Sequence, residues 1–160
     1  MLSCPLVGQA GRGAVAALCE AGVAAIIVAN RSRDKGEALL ADFRSKFSDI
    51  KFTLASLELA DLEVHLRSSD LLVNTTSVGM NGTYFAGIEL SALNPGAMVY
   101  DMVYAPIETP LLAAARDKGI RCANGIGMLV AQGEAAFAIW TGQKPPAGVM
   151  KKRLLLALAR

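Results

Sequence analysis

The stretch VAAIIVANRSRDKGEALLADF (residues 23–43) decides the fold. Its first seven residues are apolar without a break, the pattern of a strand buried on both faces, as in a parallel sheet covered by helices. After the polar turn Asn30–Arg31–Ser32, the residues Ala38, Leu39 and Phe43, with Phe47 just beyond, fall at helical spacing. A buried strand that runs through a short polar turn into a helix is the repeating piece of an α/β domain.

Working outward, the same alternation recurs. Upstream, LVG (6–8) closes a short strand and GRGAVAALCEAG (11–22) is an Ala-rich helix that stops at Gly22. Downstream, KFTLASL (51–57) is a strand, and a short helix contains DLEVHL (61–66). DLLVNTT (70–76) is a second buried strand, followed by a loop rich in Gly, Asn and Ser. AMVYDMVY (97–104) is another strand, TPLLAAARDKG (109–119) a helix with Pro near its start, and IRCAN (120–124) a last short strand. Residues 127–140 are helical, and PPAGVMKKRLLLALAR (145–160) closes with an amphipathic, solvated helix. The order predicts one α/β domain over residues 1–160, with a doubly wound, mainly parallel sheet and helices on both faces. In such sheets ligands bind at the carboxyl ends of the strands.

Composition narrows the function. With 53% apolar and 19% charged residues the chain is globular, and a net charge of +2 is too small for a nucleic-acid or membrane surface. Cys4, Cys19 and Cys122 form no C-x-x-C pair, and His65 is the single histidine. Reduced thiols and no metal site are therefore expected. The longest uncharged run, 71–88, is broken throughout by Asn, Thr, Ser and Gly, so it is no membrane span. A cytoplasmic protein is expected.

The strand ends carry the chemistry. GQAGRG (8–13) does not match G-x-G-x-x-G, and GRGAVA (11–16) fits G-x-G-x-x-A only by starting inside the helix. After the second strand there is no Asp or Glu for a ribose 2′-hydroxyl; Asn30, Arg31 and Ser32 stand there instead, with Lys35 one turn on. Arg forks onto phosphate oxygens and stacks on adenine, and cations at a helix N-terminus, itself partly positive, want an anion. This cluster predicts a 2′-phosphate and therefore NADP. NTTSVGM (74–80) offers three hydroxyls and an amide, suited equally to ribose or phosphate and to capping a turn. YDMVYAPIETPLL (100–112) sets Asp101, Tyr100 and Tyr104 at a strand end, and NGIGMLVAQGEAAF (124–137) sets Gly125 and Gly127 before an apolar helix. There Met128 and Gln132 share a face. An amide on an apolar stripe needs a partner, either a substrate hydroxyl or a backbone group.

Taken together, ANRS (29–32), NTTSVGM, YDMVYAPIETPLL and NGIGMLVAQGEAAFAIWTG (124–142) resemble the C-terminal, NADP-binding domain of shikimate dehydrogenases, in that family's order and over essentially the whole chain. The resemblance implies a Rossmann-like fold. It assigns Asn30, Arg31, Ser32 and Lys35 to the 2′-phosphate and adenine, Thr75 to the cofactor, and Met102, Gly125 and Met128 to the nicotinamide. Tyr104 and Gln132 are assigned to the substrate. Aligned on Arg12, the pyrophosphate turn falls on Gly8, Gln9 and Ala10; one of the family's three glycines is kept, and Gln9 places a long side chain where pyrophosphate approaches. The family reaction is the reversible reduction of 3-dehydroshikimate to shikimate by NADPH.

The resemblance also implies what this chain does not carry. The family's proton-transferring Lys and Asp belong to an N-terminal substrate domain, and only a stub of the first strand follows Met1 here. The expectation is therefore a fragment with no catalytic residue of its own, inactive alone. Its closing helix, from about 144 to 160, would pack toward that domain, and an oligomer is possible. Two alternatives stay open: a quinate/shikimate dehydrogenase fragment, and a non-catalytic NADP-binding module that works with a separate substrate-domain chain.

Overall fold

The unbroken apolar run at 25–29 becomes strand β2 (Ala25–Ala29), which is buried at all five positions and paired on both sides. The computed structural model describes residues 2–5 and 9–158, with side chains from Ala10 onward. Gly8 and the side chain of Gln9, both expected at the pyrophosphate turn, lie outside the described part. The other sheet strands are β1 (Leu2–Pro5), β3 (Lys51–Ala55), β4 (Leu71–Asn74), β6 (Met98–Asp101) and β7 (Arg121–Asn124); a short extended segment, β5 (Val78–Asn81), is not among them. Their order is β3-β2-β1-β4-β6-β7, and every neighbouring pair is parallel. This is the doubly wound order, with its topological switch between β1 and β4.

Alternation along β2 sends side chains to two separate cores. Ile26 and Val28 meet α1 (Gln9–Glu20) and α2 (Arg33–Arg44) through Val15, Cys19, Leu39, Leu40 and Phe43. Ile27 and Ala29 face the other way, with Ala55, Leu57 and Leu62, the last on α3 (Leu59–Leu66). On that second face Leu72 and Val99 pack with Leu111, Leu112 and Ala115 of α4 (Pro110–Asp117). Full burial of each large aliphatic side chain contributes about 1.5–3 kcal/mol. The two remaining helices, α5 (Ile126–Thr141) and α6 (Val149–Leu158), pack against each other. Only Ile126 of α5 is buried, and no described residue of α6 is.

Three expectations are corrected. The buried residues of α2 are Gly36, Leu39, Leu40 and Phe43, whereas Ala38 is exposed. The strand expected over 97–104 pairs only from Met98 to Asp101, because the chain then leaves β7 and turns toward a cis Ala105–Pro106 bond. The closing helix starts at Val149 rather than near 144: Pro145 and Pro146 precede it, and Gly148 has φ +73°, a left-handed conformation that helices exclude.

Leu40 is fully buried between α2 and the sheet. Leu40→Ala is expected to cost about 2–5 kcal/mol of stability, read from urea unfolding followed by circular dichroism.

Candidate functional site

Parallel strands bring all the strand-end residues to one edge, where they form two groups. The first lies beyond β2 and β3. Asn30 follows β2, Arg31 is exposed, and Ser32 holds the N-cap position of α2 without making a capping hydrogen bond through its hydroxyl. A cavity of about 300 Å³ opens here, between Asn30, Arg31 and Arg33 on one side and the 54–58 segment on the other. Ser32 and Lys35 stand beside this cavity and do not line it. Arg33 does line it, which the sequence reading missed although Arg33 is two residues past Arg31. The opposite wall is pinned: the Ser56 N–H donates to Asp61 at 2.6 Å, and the Glu58 N–H donates to the Ser56 hydroxyl at 3.2 Å. The Ser56 N–H is also the main reason that the Asp61 carboxyl is held below its ordinary pKa.

One polar atom in this group is unsatisfied. Among the described residues, the Asn30 side-chain nitrogen is the buried side-chain N or O with no hydrogen-bond partner. Arg31 forms no ion pair with any described residue either. A buried N–H₂ without an acceptor costs about 1–3 kcal/mol, so its place next to an unpaired guanidinium fits a bound anion with acceptor oxygens.

The second group lies beyond β4, β6 and β7. Asn74, at the end of β4, is fully buried and uses its whole amide: its nitrogen donates to the Val78 carbonyl and to Asp101, and its oxygen accepts from the Thr76 N–H and hydroxyl. Within NTTSVGM, Asn74 and Thr76 thus cap the turn, one of the two roles open to that stretch. Thr75 between them is buried. Asp101 has no exposed surface, and it accepts from the Asn74 amide at 2.9 Å, the Val103 N–H at 3.0 Å and the Thr109 hydroxyl at 2.6 Å. Burial pushes its carboxyl pKa up, and the three hydrogen bonds oppose that rise.

This frame sets the next residues. The Met102 N–H donates to the Asn74 carbonyl, and the Gly125 N–H to the Val103 carbonyl. Gly125 sits so tightly on Met102 that a Cβ there would lie 2.0 Å from the Met102 carbonyl oxygen; no larger residue fits. Met128 is one turn along α5 and half-buried, Tyr104 is 40% exposed, and Gln132 is exposed. Gln132 therefore pays no burial cost for its amide, contrary to the expectation drawn from its apolar neighbours. The two groups are separated by β1 and β4; at about 4.8 Å per strand, β2 and β6 lie about 14 Å apart, the reach of a dinucleotide laid across the switch point. Among the described residues no cluster of His, Cys, Asp or Glu is placed to hold a metal, and no helix is long and apolar enough to cross a membrane.

Comparison with known proteins agrees with this arrangement. The family model for Shikimate / quinate 5-dehydrogenase matches residues 7–81, and that for the Shikimate 5'-dehydrogenase C-terminal domain matches residues 125–155. The shikimate dehydrogenase (NADP(+)) of Geobacter metallireducens is 54% identical over 153 residues, covering 96% of this chain and 54% of that protein. The chain belongs to the shikimate dehydrogenase family. It spans about half the length of the curated family members it matches. The Thermus thermophilus shikimate 5-dehydrogenase in complex with NADP(H) and shikimate superposes with a TM-score of 0.78 at 30% identity, over 98% of this chain and 55% of that one. Quinate dehydrogenase from Corynebacterium glutamicum in complex with NAD gives 0.86 at 28% identity, over 98% and 55%.

The rise in the Asp101 pKa has a consequence for stability. A carboxyl whose folded pKa lies above its unfolded value of about 3.9 binds more protons folded than unfolded between those two values. Its contribution is therefore full below the unfolded pKa and is lost as pH rises through the folded one. Compared with Asp101→Asn, the wild type should lose stability as pH rises above the unfolded pKa of about 3.9 and through the raised folded one, measured as the difference between paired urea titrations.

Proposed function

We propose that this chain binds NADP across the switch point and supplies the cofactor half of the reversible reduction of 3-dehydroshikimate to shikimate. The observation that carries the proposal is the pairing of the orphaned Asn30 amide with the unpaired Arg31 at the mouth of a cavity. An anion there satisfies both. In this reading Asn30, Arg31, Ser32 and Lys35, joined by Arg33, receive the 2′-phosphate and adenine. Gly8, Gln9, Ala10 and Thr75 serve the pyrophosphate and its ribose, and Met102, Gly125 and Met128 form the seat of the nicotinamide. When bound, NADPH supplies a hydride. The chain's own part is to orient the ring on the fixed Met102–Gly125 contact and to keep water from one side of it. In this reading Tyr104 and Gln132, both exposed, hydrogen-bond the substrate.

The proton is a separate matter. Ketone reduction needs a donor within hydrogen-bond reach of the carbonyl oxygen. Asp101 is enclosed by three donors and reaches no open surface, so it does not serve. The Lys and Asp that the family resemblance assigns to this role are placed in a substrate domain. We assign the docking of that domain to α5 and α6, where Ile139 is 80% and Trp140 83% exposed. The same reading makes the protein cytoplasmic.

Calorimetry with NADP+ and NAD+ tests the clamp. NADP+ should bind more tightly, and Arg31→Ala should weaken NADP+ by about tenfold or more, the loss of a charge-assisted hydrogen bond, while barely changing NAD+. Equal affinities for the two nucleotides, or an NADP+ preference that survives Arg31→Ala, would overturn the proposal. The purified 160-residue chain should show no shikimate- or quinate-dependent reduction of NADP+ above background; measurable turnover would place the proton donor within it.

A further inference from the structure

We infer that the buried carboxylate of Asp101 biases the nicotinamide end of the site toward the oxidised, positively charged form of the cofactor, an inference that rests on the cofactor reading above. Asp101 has no exposed surface, and no Lys, Arg or His among the described residues pairs with it. Its three partners are a neutral amide, a backbone N–H and a hydroxyl. Such donors stabilise the carboxylate but leave its net charge in place. The Thr109 hydroxyl oxygen also accepts from the Leu112 N–H, consistent with its own proton pointing at Asp101.

The location gives this charge a target. Met102, the next residue, is hydrogen-bonded to the end of β4 and pressed by Gly125, so the carboxylate is fixed one residue from the proposed nicotinamide seat. Val103 and Ile126, next to Met102 and Gly125 in the chain, are buried and apolar, and Met128 is half-buried; away from water a charge acts over a longer range. A negative charge lowers the free energy of a ring carrying positive charge and leaves a neutral reduced ring nearly untouched.

A purely structural tie would not need the charge. An Asn at 101 could keep both Oδ1 hydrogen bonds, from Asn74 and Val103, and could donate to the Thr109 oxygen in place of the present bond. It would also avoid the desolvation that burial imposes on a carboxylate.

The test compares dissociation constants for NADP+ and NADPH at about pH 8 in the wild-type chain, Asp101→Asn and Thr109→Val. In Asp101→Asn the affinity for NADP+ should fall relative to NADPH by about tenfold, the effect of one charge acting through a weakly polar medium. Thr109→Val keeps the charge and removes a hydrogen bond, so it should move both affinities together. An unchanged ratio in Asp101→Asn, or an equal shift of that ratio in Thr109→Val, overturns the inference. Should Asp101→Asn not fold by circular dichroism, Asp101→Ser carries the same expectation; loss of fold in both assigns the carboxylate to structure alone and also overturns it. Failure of the wild type to bind either nucleotide instead overturns the cofactor reading itself.

Discussion

The hydrogen bond from the Asn74 amide to the Asp101 carboxylate, 2.9 Å long, ties the carboxyl ends of β4 and β6, and the far half of the site depends on it. Asn74 also shapes the turn into β5 and, through its carbonyl, holds Met102. Asp101 reaches on to the N-cap residue of α4. Each such bond is worth about 0.5–1.5 kcal/mol net, or about 1.5–3 kcal/mol where a charge takes part, but breaking one strands its buried partner at similar cost. The links cannot be lost one at a time, which makes the strand ends a rigid platform rather than a set of loops.

Much of this is legible in the sequence because burial on both faces leaves a mark that needs no partner to be read. The run at 25–29 and the apolar starts of those near 71–74 and 98–101 are legible for local reasons; helical spacing locates α2, and the Pro near its start marks α4. The basic turn at 30–35 is legible for a different reason: positive charge at a helix N-terminus is locally unfavourable and asks for an explanation. By contrast, the partnership of Asn74 with Asp101 spans 27 residues and exists only once register is set. Neither residue announces it. Arg33 reads as an ordinary helix-start residue until β3 brings the 54–58 segment opposite.

The helix at 126–141 shows the opposite limit. Its apolar composition suggests burial, and the described structure buries only Ile126. Periodicity distinguishes an inside from an outside, and a helix apolar all round has no such contrast. Gln132 misleads for the same reason: with no polar face to belong to, it looks like an intruder in a core that is not there.

Trp140 is the sole tryptophan of the chain, and it stands 83% exposed on that helix. An indole already in water has little further to travel when the sheet unfolds, so its fluorescence is a poor gauge of the stability of this fold. A molecule seated over that stretch of α5 would take the ring out of water. Trp140 is thus an optical reporter of that face, insensitive to the core.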